Sequence, residues 1–444
     1  MGKKVLIVGG VAGGASVAAR VRRLDESAEI VMFERGPYVS FSNCCIPFHI
    51  SGDIEKSESL VLMTPPEFDK QYNIDARVYN EVVAINKEEK TVSVKNVQTG
   101  ETYEEAYDVL FLAPGANAVR PRSIAGIDSK HVFVMKTVPD VAALTAYTKA
   151  NEVKDVAVVG GGYIGLEVAE NLKMAGYNVS LIEAQDQIMA PLDYDMVQII
   201  NREIMKNGVD LILKDSVQAI GSDEVTLASG RTVKAQAVVM AIGVSPENAL
   251  AKQAGLELGV AGSIKVNHHY QTSNPHIYAV GDAIETTCFF TGQKTQLTLA
   301  GPAQRQARAA ADHVYGRTYL NTGVIGSSSV KMFGLNSANT GLNEKQCQAR
   351  GIAYDFAYII PKDKVSIMPG AENLFFKLIF AVPSGKILGA QAVGRGNVDK
   401  RIDVIATAIM LNANLEDLKE LELTYSPHFS TAKDVVNHAV LVGL

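Results

Sequence analysis

Short, continuous apolar runs dominate the hydrophobic pattern of this chain. Val5-Leu6-Ile7-Val8 leads at once into glycines, and a helix is expected from there through about Leu24. Ile30 to Phe33 is a second apolar run, and it ends in Glu34. Apolar runs of this length bounded by glycine mark strands buried on both faces, as in a parallel sheet. Strand, helix, strand in this order predicts a βαβ unit. The pattern returns later in the chain. Val156 to Val159 predicts a strand, a helix is expected to about Met174, and Val179 to Ile182 predicts the next strand, ending in Glu183. A further short strand is expected at Ile277 to Val280. With 444 residues, two or three domains are expected.

The turns carry the candidate chemistry. The first is Gly9-Gly10-Val11-Ala12-Gly13-Gly14. Glycines allow a tight turn and bring backbone N–H groups and a helix N-terminus up to a pyrophosphate. The acid closing the second strand, Glu34, is placed to accept a hydrogen bond from a ribose hydroxyl. Val11 stands where the middle glycine of G-x-G-x-x-G belongs, while Gly9 and Gly14 keep the outer spacing. A plain glycine-rich turn is the alternative. In the second turn Gly160, Gly162 and Gly165 fit the pattern in full, with Tyr163 and Ile164 opening the helix. Glu183 would repel a 2′-phosphate, so NADH is favoured over NADPH. Two fingerprints imply two dinucleotides.

Composition narrows the partners. Apolar residues make up 47% and charged residues 20%, an ordinary globular balance. A net charge of -6 argues against a nucleic-acid coat or a membrane-surface binder. The start, Met1 to Lys4, leads straight into a run too short for a secretory leader, and a cytoplasmic location is expected. Cys44, Cys45, Cys288 and Cys347 form no disulfide framework for a chain of this size, and none has CxxC spacing. No metal is expected.

A reactive thiol is therefore the question. Ser40-Phe41-Ser42-Asn43-Cys44-Cys45-Ile46-Pro47-Phe48 follows Glu34 by a few residues. Pro47 suits the first turn of a helix, which would put Cys44 near a helix N-terminus where thiolate is favoured. The alternative is a pair of small buried apolar side chains. Cys45 has three readings: a strained vicinal disulfide with Cys44, a second thiol that resolves a Cys44 persulfide, or a small filler.

Three further segments bring in a family: Thr272 to Asp282, with Gly281-Asp282 after a strand; Leu110 to Ala116; and Met240 to Pro246. With the two glycine loops they resemble the pyridine nucleotide-disulfide oxidoreductase superfamily. The resemblance implies an α/β fold with two Rossmann-like dinucleotide-binding domains and a C-terminal α+β dimerisation domain. The FAD-binding domain is expected at 1–115 and 245–322, the inserted NAD(P)H-binding domain at 116–244, and the dimerisation domain at 323–444. It also implies cofactor contacts at Gly9, Val11, Ala12, Gly13, Gly14, Glu34, Arg35, Ala113 and Gly115, at Gly160, Gly162, Tyr163, Ile164, Gly165 and Glu183, and at Gly243, Gly281, Asp282, Pro302 and Ala303. The helix after Pro302 and Ala303 is expected to start near Gln304.

A single redox cysteine in an SFxNC context resembles the branch of coenzyme A-disulfide reductases, CoA-persulfide reductases and NADH oxidases or peroxidases. Its implied substrate contacts are Ser16, Arg20, Arg23, Ser40, Asn43 and Lys433. The first three share one helix face at i, i+4 and i+7, and a solvated basic face is the plainer explanation of them. Asp399-Lys400-Arg401-Ile402-Asp403 and the stretch Leu423 to Asp434 resemble that branch's dimer domain. There Tyr425 is expected to reach across a homodimer to the other subunit's cysteine. Met368 stands where the family has a second tyrosine, and it cannot donate a hydrogen bond. His428 is either a proton donor or an interface residue. The expected activity is FAD-dependent reduction of coenzyme A disulfide, or of a related CoA-persulfide or polysulfide, by NADH through Cys44. An NADH oxidase or peroxidase cycling Cys44 through sulfenic acid competes with it, as does a low-turnover flavin redox sensor.

Overall fold

The computed structural model describes residues 2–318 and 321–444. The chain forms two compact units. One takes Met1–Val119, Lys136–Ala143 and Gly243–Val324; the other takes Arg120–Met135, Leu144–Ile242 and Ile325–Leu444.

The first unit is built on a parallel five-stranded sheet in the order Ile277–Ala279, Val109–Leu112, Lys4–Val8, Glu29–Glu34, Asp75–Val78. Val5, Leu6 and Ile7 are wholly buried, as the unbroken apolar run requires of a central strand with both faces covered. Their register sets Val5 beside Ile30 on one side and beside Val109 on the other. The helix Ala12–Leu24 buries Val17, Ala18 and Val21. It lies against the helix Ala300–Val314, whose buried residues are Ala303, Ala307, Ala310 and Ala311 together with Gln306 and Asp312. Side chains as small as alanine let two helices approach closely. This second helix begins at Ala300, four residues before the expected Gln304. Pro302 sits inside its first turn, where the missing N–H has no intrahelical role to lose.

The second unit holds two large sheets. The first is parallel, in the order Asp210–Ile212, Asn178–Ile182, Asp155–Val159, Ala237–Met240, Val132–Val134. Its strands fall within the chain between Leu112 and Ile277, so this nucleotide-type sheet is an insertion into the first one. The other sheet is antiparallel, in the order Ser328–Met332, Leu335–Gly341, Ile387–Gly394, Phe375–Ala381, Tyr354–Ile359. The helix Val398–Met410 buries Ile402, Ile405 and Ile409 and packs on its Leu335–Gly341 and Ile387–Gly394 strands.

Polar groups join these two sheets. The Tyr163 hydroxyl bonds to Ser328 and, at 3.1 Å, to Asn339. Glu170 accepts from the Phe333 N–H at 2.6 Å. Lys377 is fully buried, with its ammonium 3.2 Å from Asp193, 3.0 Å from Asp195 and paired to Glu344. The same nitrogen lies 4.4 Å from the centre of the Phe356 ring. An ammonium tolerates burial when carboxylates surround it. These three acids are close enough together to hold a cation, and Lys377 is that cation. Among the described residues no helix is long and apolar enough to cross a membrane.

Candidate functional site

Both glycine loops lie where ligands bind in open parallel sheets, beyond the carboxyl ends of the strands at the point where strand order reverses. The two loops share one geometry. Gly9 and Gly160 have φ of +95° and +109°, the left-handed region that favours glycine. A Cβ on Gly9 would strike the carbonyl of Ala113, and one on Gly160 that of Ala241. Gly14 and Gly165 are excluded from bearing side chains because a Cβ would strike the carbonyl oxygens of Gly9 and Gly160. These glycines let each helix start directly against the end of its strand.

The middle position obeys a different rule, and this explains Val11. Val11 and Gly162 cap their helices with φ of -102° and -82°, ordinary values for any residue. A Cβ on Gly162 would meet nothing within 4 Å. The φ at neither position lies in the left-handed region that calls for glycine, and at Gly162 the protein leaves room for a side chain.

The acids at the ends of the second strands perform matching tasks. Glu34 accepts from Gly10 N–H at 3.1 Å and Gly36 N–H at 2.8 Å. Glu183 accepts from Gly161 N–H at 2.7 Å and Gln185 N–H at 2.8 Å. Each carboxylate is thereby aimed along its loop with lone pairs still open. The helices Ala12–Leu24 and Tyr163–Met174 have no side-chain cap at their start. Asn343 and Asp434 cap the helices Glu344–Ala349 and Val435–Gly443, whereas Tyr194–Lys206, Ala300–Val314 and Val398–Met410 share the uncapped start. Uncapped N–H groups beside an oriented carboxylate are the donor set of a dinucleotide, with pyrophosphate on the former and ribose on the latter. FAD at the first loop and NADH at the second fit these residues. Tyr163 and Ile164 form the first turn of the second helix, and burial raises the Tyr163 hydroxyl above its ordinary pKa.

Other sequence-selected residues gather around the first loop. Ala113 N–H donates to Val8 at 2.8 Å, and Gly115 and Gly243 take φ of +74° and +116° at the two crossings of the chain. Arg35 is exposed, within 3.5 Å of Glu247 and 3.4 Å of Asn117. Gly281, with φ of +82°, donates its N–H to Gln306 at 2.8 Å. Asp282 lies 3.4 Å from the Lys136 ammonium. Pro302 and Ala303 start the neighbouring helix.

Cys44 belongs to this assembly. Ser40, at φ +49°, donates its N–H to the Gly10 carbonyl at 2.7 Å, which stitches the cysteine segment to the glycine loop itself. Asn43 to Cys45 then form a single 3-10 turn, and Asn43 donates to the Lys136 carbonyl at 3.4 Å. Cys44 is exposed and Cys45 half-buried, and neither is in a disulfide. The following helix is only Phe48–Ser51. Ile46 and Pro47 hold αR backbone between the 3-10 turn and that helix, so Cys44 lies at the start of one short helical stretch.

The basic stripe separates into unequal members. Ser16 is half-buried and Arg23 is exposed. Arg20 is committed to Asp312, with Nε 2.8 Å from a carboxylate oxygen and a second contact to the same oxygen. Asp312 is fully buried, so Arg20 serves first as its counter-ion. In the second unit, Tyr425, His428 and Lys433 are exposed on the stretch before the helix Val435–Gly443, and Met368 lies half-buried in a turn closed by its N–H on Val365 at 2.9 Å.

Lys136, Gln306 and Asp312 were not singled out by sequence reasoning. Their partners lie far off in the chain, or their character comes from burial, so no local motif marks them. Glu167 is pushed up to about 7, by burial first and then by the charge of Glu170 one helical turn on.

A family model described as pyridine nucleotide-disulphide oxidoreductase matches residues 3–307, and that family's dimerisation domain matches residues 327–435. Coenzyme A disulfide reductase of Staphylococcus epidermidis is 35% identical over 435 residues, covering 98% of both chains. The enzyme of that name from Staphylococcus aureus is 34% identical over the same length and coverage. Among solved structures, reduced CoADR-RHD of Bacillus anthracis is 47% identical with a TM-score of 0.97, over 99% of this chain and 80% of that one. An NAD-dependent persulfide reductase from A. fulgidus is 32% identical with a TM-score of 0.96, over 99% and 83%.

Proposed function

The chain belongs to the pyridine nucleotide-disulphide oxidoreductase family and is a flavin-dependent oxidoreductase, and on that premise we propose that it reduces coenzyme A disulfide with NADH through Cys44. One observation carries this reading: the segment bearing the exposed Cys44 is hydrogen-bonded through Ser40 to the loop that would hold FAD. A thiol placed there is positioned for redox chemistry, and full-length relatives named for this reaction favour coenzyme A disulfide as the substrate.

Bound FAD would supply two-electron transfer from a nicotinamide to a disulfide-level acceptor. Gly9 to Gly14 with Glu34 would hold its pyrophosphate and ribose, and Asp282 its polyol chain. Gly160 to Gly165 with Glu183 would hold NADH. The Cys44 thiolate attacks one sulfur of the substrate disulfide. The substrate S–S bond breaks, one coenzyme A thiolate leaves, and a Cys44–coenzyme A mixed disulfide forms. Two electrons originating in NADH then cleave that bond, which releases the second thiol and restores Cys44. NADH, one proton and the disulfide become NAD⁺ and two thiols.

Ser16, Arg23, Ser40 and Asn43 contact the substrate, with Arg23 as the exposed cation for a phosphate. Arg20 supports the same helix through Asp312. The dimerisation domain makes the protein a homodimer, in which Tyr425 of one protomer assists the leaving thiolate at Cys44 of the other, and Lys433 contacts substrate. The division into FAD-binding, NAD-binding and dimerisation domains and a cytoplasmic location complete the reading.

The test is NADH oxidation by FAD-loaded protein with coenzyme A disulfide, coenzyme A persulfide, hydrogen peroxide or oxygen as acceptor, beside Cys44→Ser. Cys44-dependent turnover with the disulfide is expected. Turnover with oxygen or peroxide alone would replace this reading by an oxidase or peroxidase. Faster turnover with the persulfide would rename the substrate, a possibility supported by the persulfide-reductase neighbour.

A further inference from the structure

Arg401 belongs to the Asp399 to Asp403 motif, yet the mechanism above gives it no task. It sits on the helix Val398–Met410, and its side chain is 1% exposed. Burying a guanidinium carries a high desolvation penalty, and its contacts show what offsets it. Nε and Nη2 reach the Asp434 carboxylate at 3.4 and 3.2 Å. Nη1 donates to the Asn397 carbonyl at 2.9 Å. Nη2 also donates to the Asp363 carbonyl at 3.1 Å and lies 3.4 Å from the Phe429 carbonyl.

These contacts gather two exposed segments onto one planar cation. Asp434 is itself buried and caps the helix Val435–Gly443 by accepting from Val436 N–H at 3.1 Å. The stretch between Thr424 and Asp434 also bonds within itself, through Ser430 Oγ on Thr424 at 3.1 Å, Phe429 and Ser430 N–H groups on Ser426, and Thr431 Oγ1 on the Lys433 carbonyl. Tyr425 and Phe429 stand 52% and 61% exposed on that stretch. The second segment, anchored at Asp363, closes on Glu372 at both ends of a loop that carries Met368. A guanidinium presents several donors in one rigid plane, which a lysine ammonium cannot reproduce.

We propose that Arg401 is a positioning residue for Tyr425: it fixes the Tyr425 stretch, together with the Met368 loop, in the shape that the thiol-releasing half of turnover requires. This rests on the proposed role of Tyr425. It also assigns the Asp399–Asp403 motif a functional reason beyond helix packing.

The test uses the FAD-loaded dimer with coenzyme A disulfide. Arg401→Lys keeps the charge and loses the planar fork. Asp434→Asn keeps the helix cap, since asparagine caps well, and weakens the pairing, so it serves where Arg401→Lys fails to fold. Each is made alone and with Tyr425→Phe. Flavin reduction by NADH in the stopped flow is expected to stay within about twofold of wild type, with unchanged elution as a dimer. Steady-state turnover is expected to fall about tenfold, the scale of a small geometric misplacement. In the Tyr425→Phe background the further fall is expected to be less than about twofold, because residues acting as one unit are non-additive. Equal losses with and without Tyr425, or no loss from either variant while Tyr425→Phe alone lowers turnover, would overturn the proposal and leave the role of Tyr425 standing. No effect of Tyr425→Phe on turnover would remove that role itself, and this proposal with it.

Discussion

Glu167 provides a test of the energetics that needs no substrate. It lies on the helix that follows the second glycine loop, with Glu170 one turn further along. Burial, and then the charge of Glu170, raises its pKa from 4.5 to about 7. The native state therefore holds this proton over a range of pH in which the unfolded chain has released it. Where the native state binds more protons, stability falls as pH rises. The contribution is fully present below pH 4.5, declines between 4.5 and about 7, and is constant above. At 1.36 kcal/mol per tenfold change in proton affinity, the fall is about 3 kcal/mol. Glu167→Gln cannot ionise and should abolish this slope. The assay is urea unfolding of both proteins from pH 5 to 8.5, read as the difference between them. Wild type is expected to lose stability relative to Glu167→Gln between pH 5 and 7 and to run parallel to it above. A difference that stays flat across the whole range, or that grows in favour of wild type as pH rises, would refute the reasoning.

Four further outcomes follow from the geometry. Gly165→Ala puts a Cβ against the Gly160 carbonyl oxygen, so it should abolish flavin reduction by NADH while the protein still purifies yellow. Glu183→Ala removes the carboxylate that repels a 2′-phosphate, and the ratio of kcat/KM for NADH over NADPH should fall at least about tenfold. Arg20→Met leaves the fully buried Asp312 without its cation and should destabilise the protein by about 3–5 kcal/mol, seen as a lower urea midpoint. Cys45→Ser should leave turnover with coenzyme A disulfide within about twofold of wild type, since Cys45 is half-buried and outside any disulfide; abolished turnover would make it a second redox thiol.

The sequence by itself determined the two parallel sheets and the loops at their ends. Short unbroken apolar runs bounded by glycine suit strands covered on both faces, and glycine is favoured where φ is strongly positive and forced where a carbonyl occupies the place of a side chain. The glycine spacing and the acid closing the second strand recur as local patterns, so Gly9, Gly14, Gly160, Gly165, Glu34 and Glu183 were legible in place, although the carbonyls that exclude a side chain at Gly9 and Gly160 belong to the distant Ala113 and Ala241. Cys44 was legible through its position shortly after Glu34. The boundary at Ala300 was missed because Pro302 reads as a helix start and can equally sit inside the first turn. Only the tertiary structure decided which charges are spent inside the protein. Arg20 and Arg23 look alike in the sequence, yet one is the counter-ion of a carboxylate 292 residues away and the other faces solvent. Arg401 and Lys377 are buried, each held by carboxylates distant in the chain. The raised pKa of Glu167 is of the same kind, since desolvation depends on everything packed around a group and a linear pattern records only its neighbours in the chain.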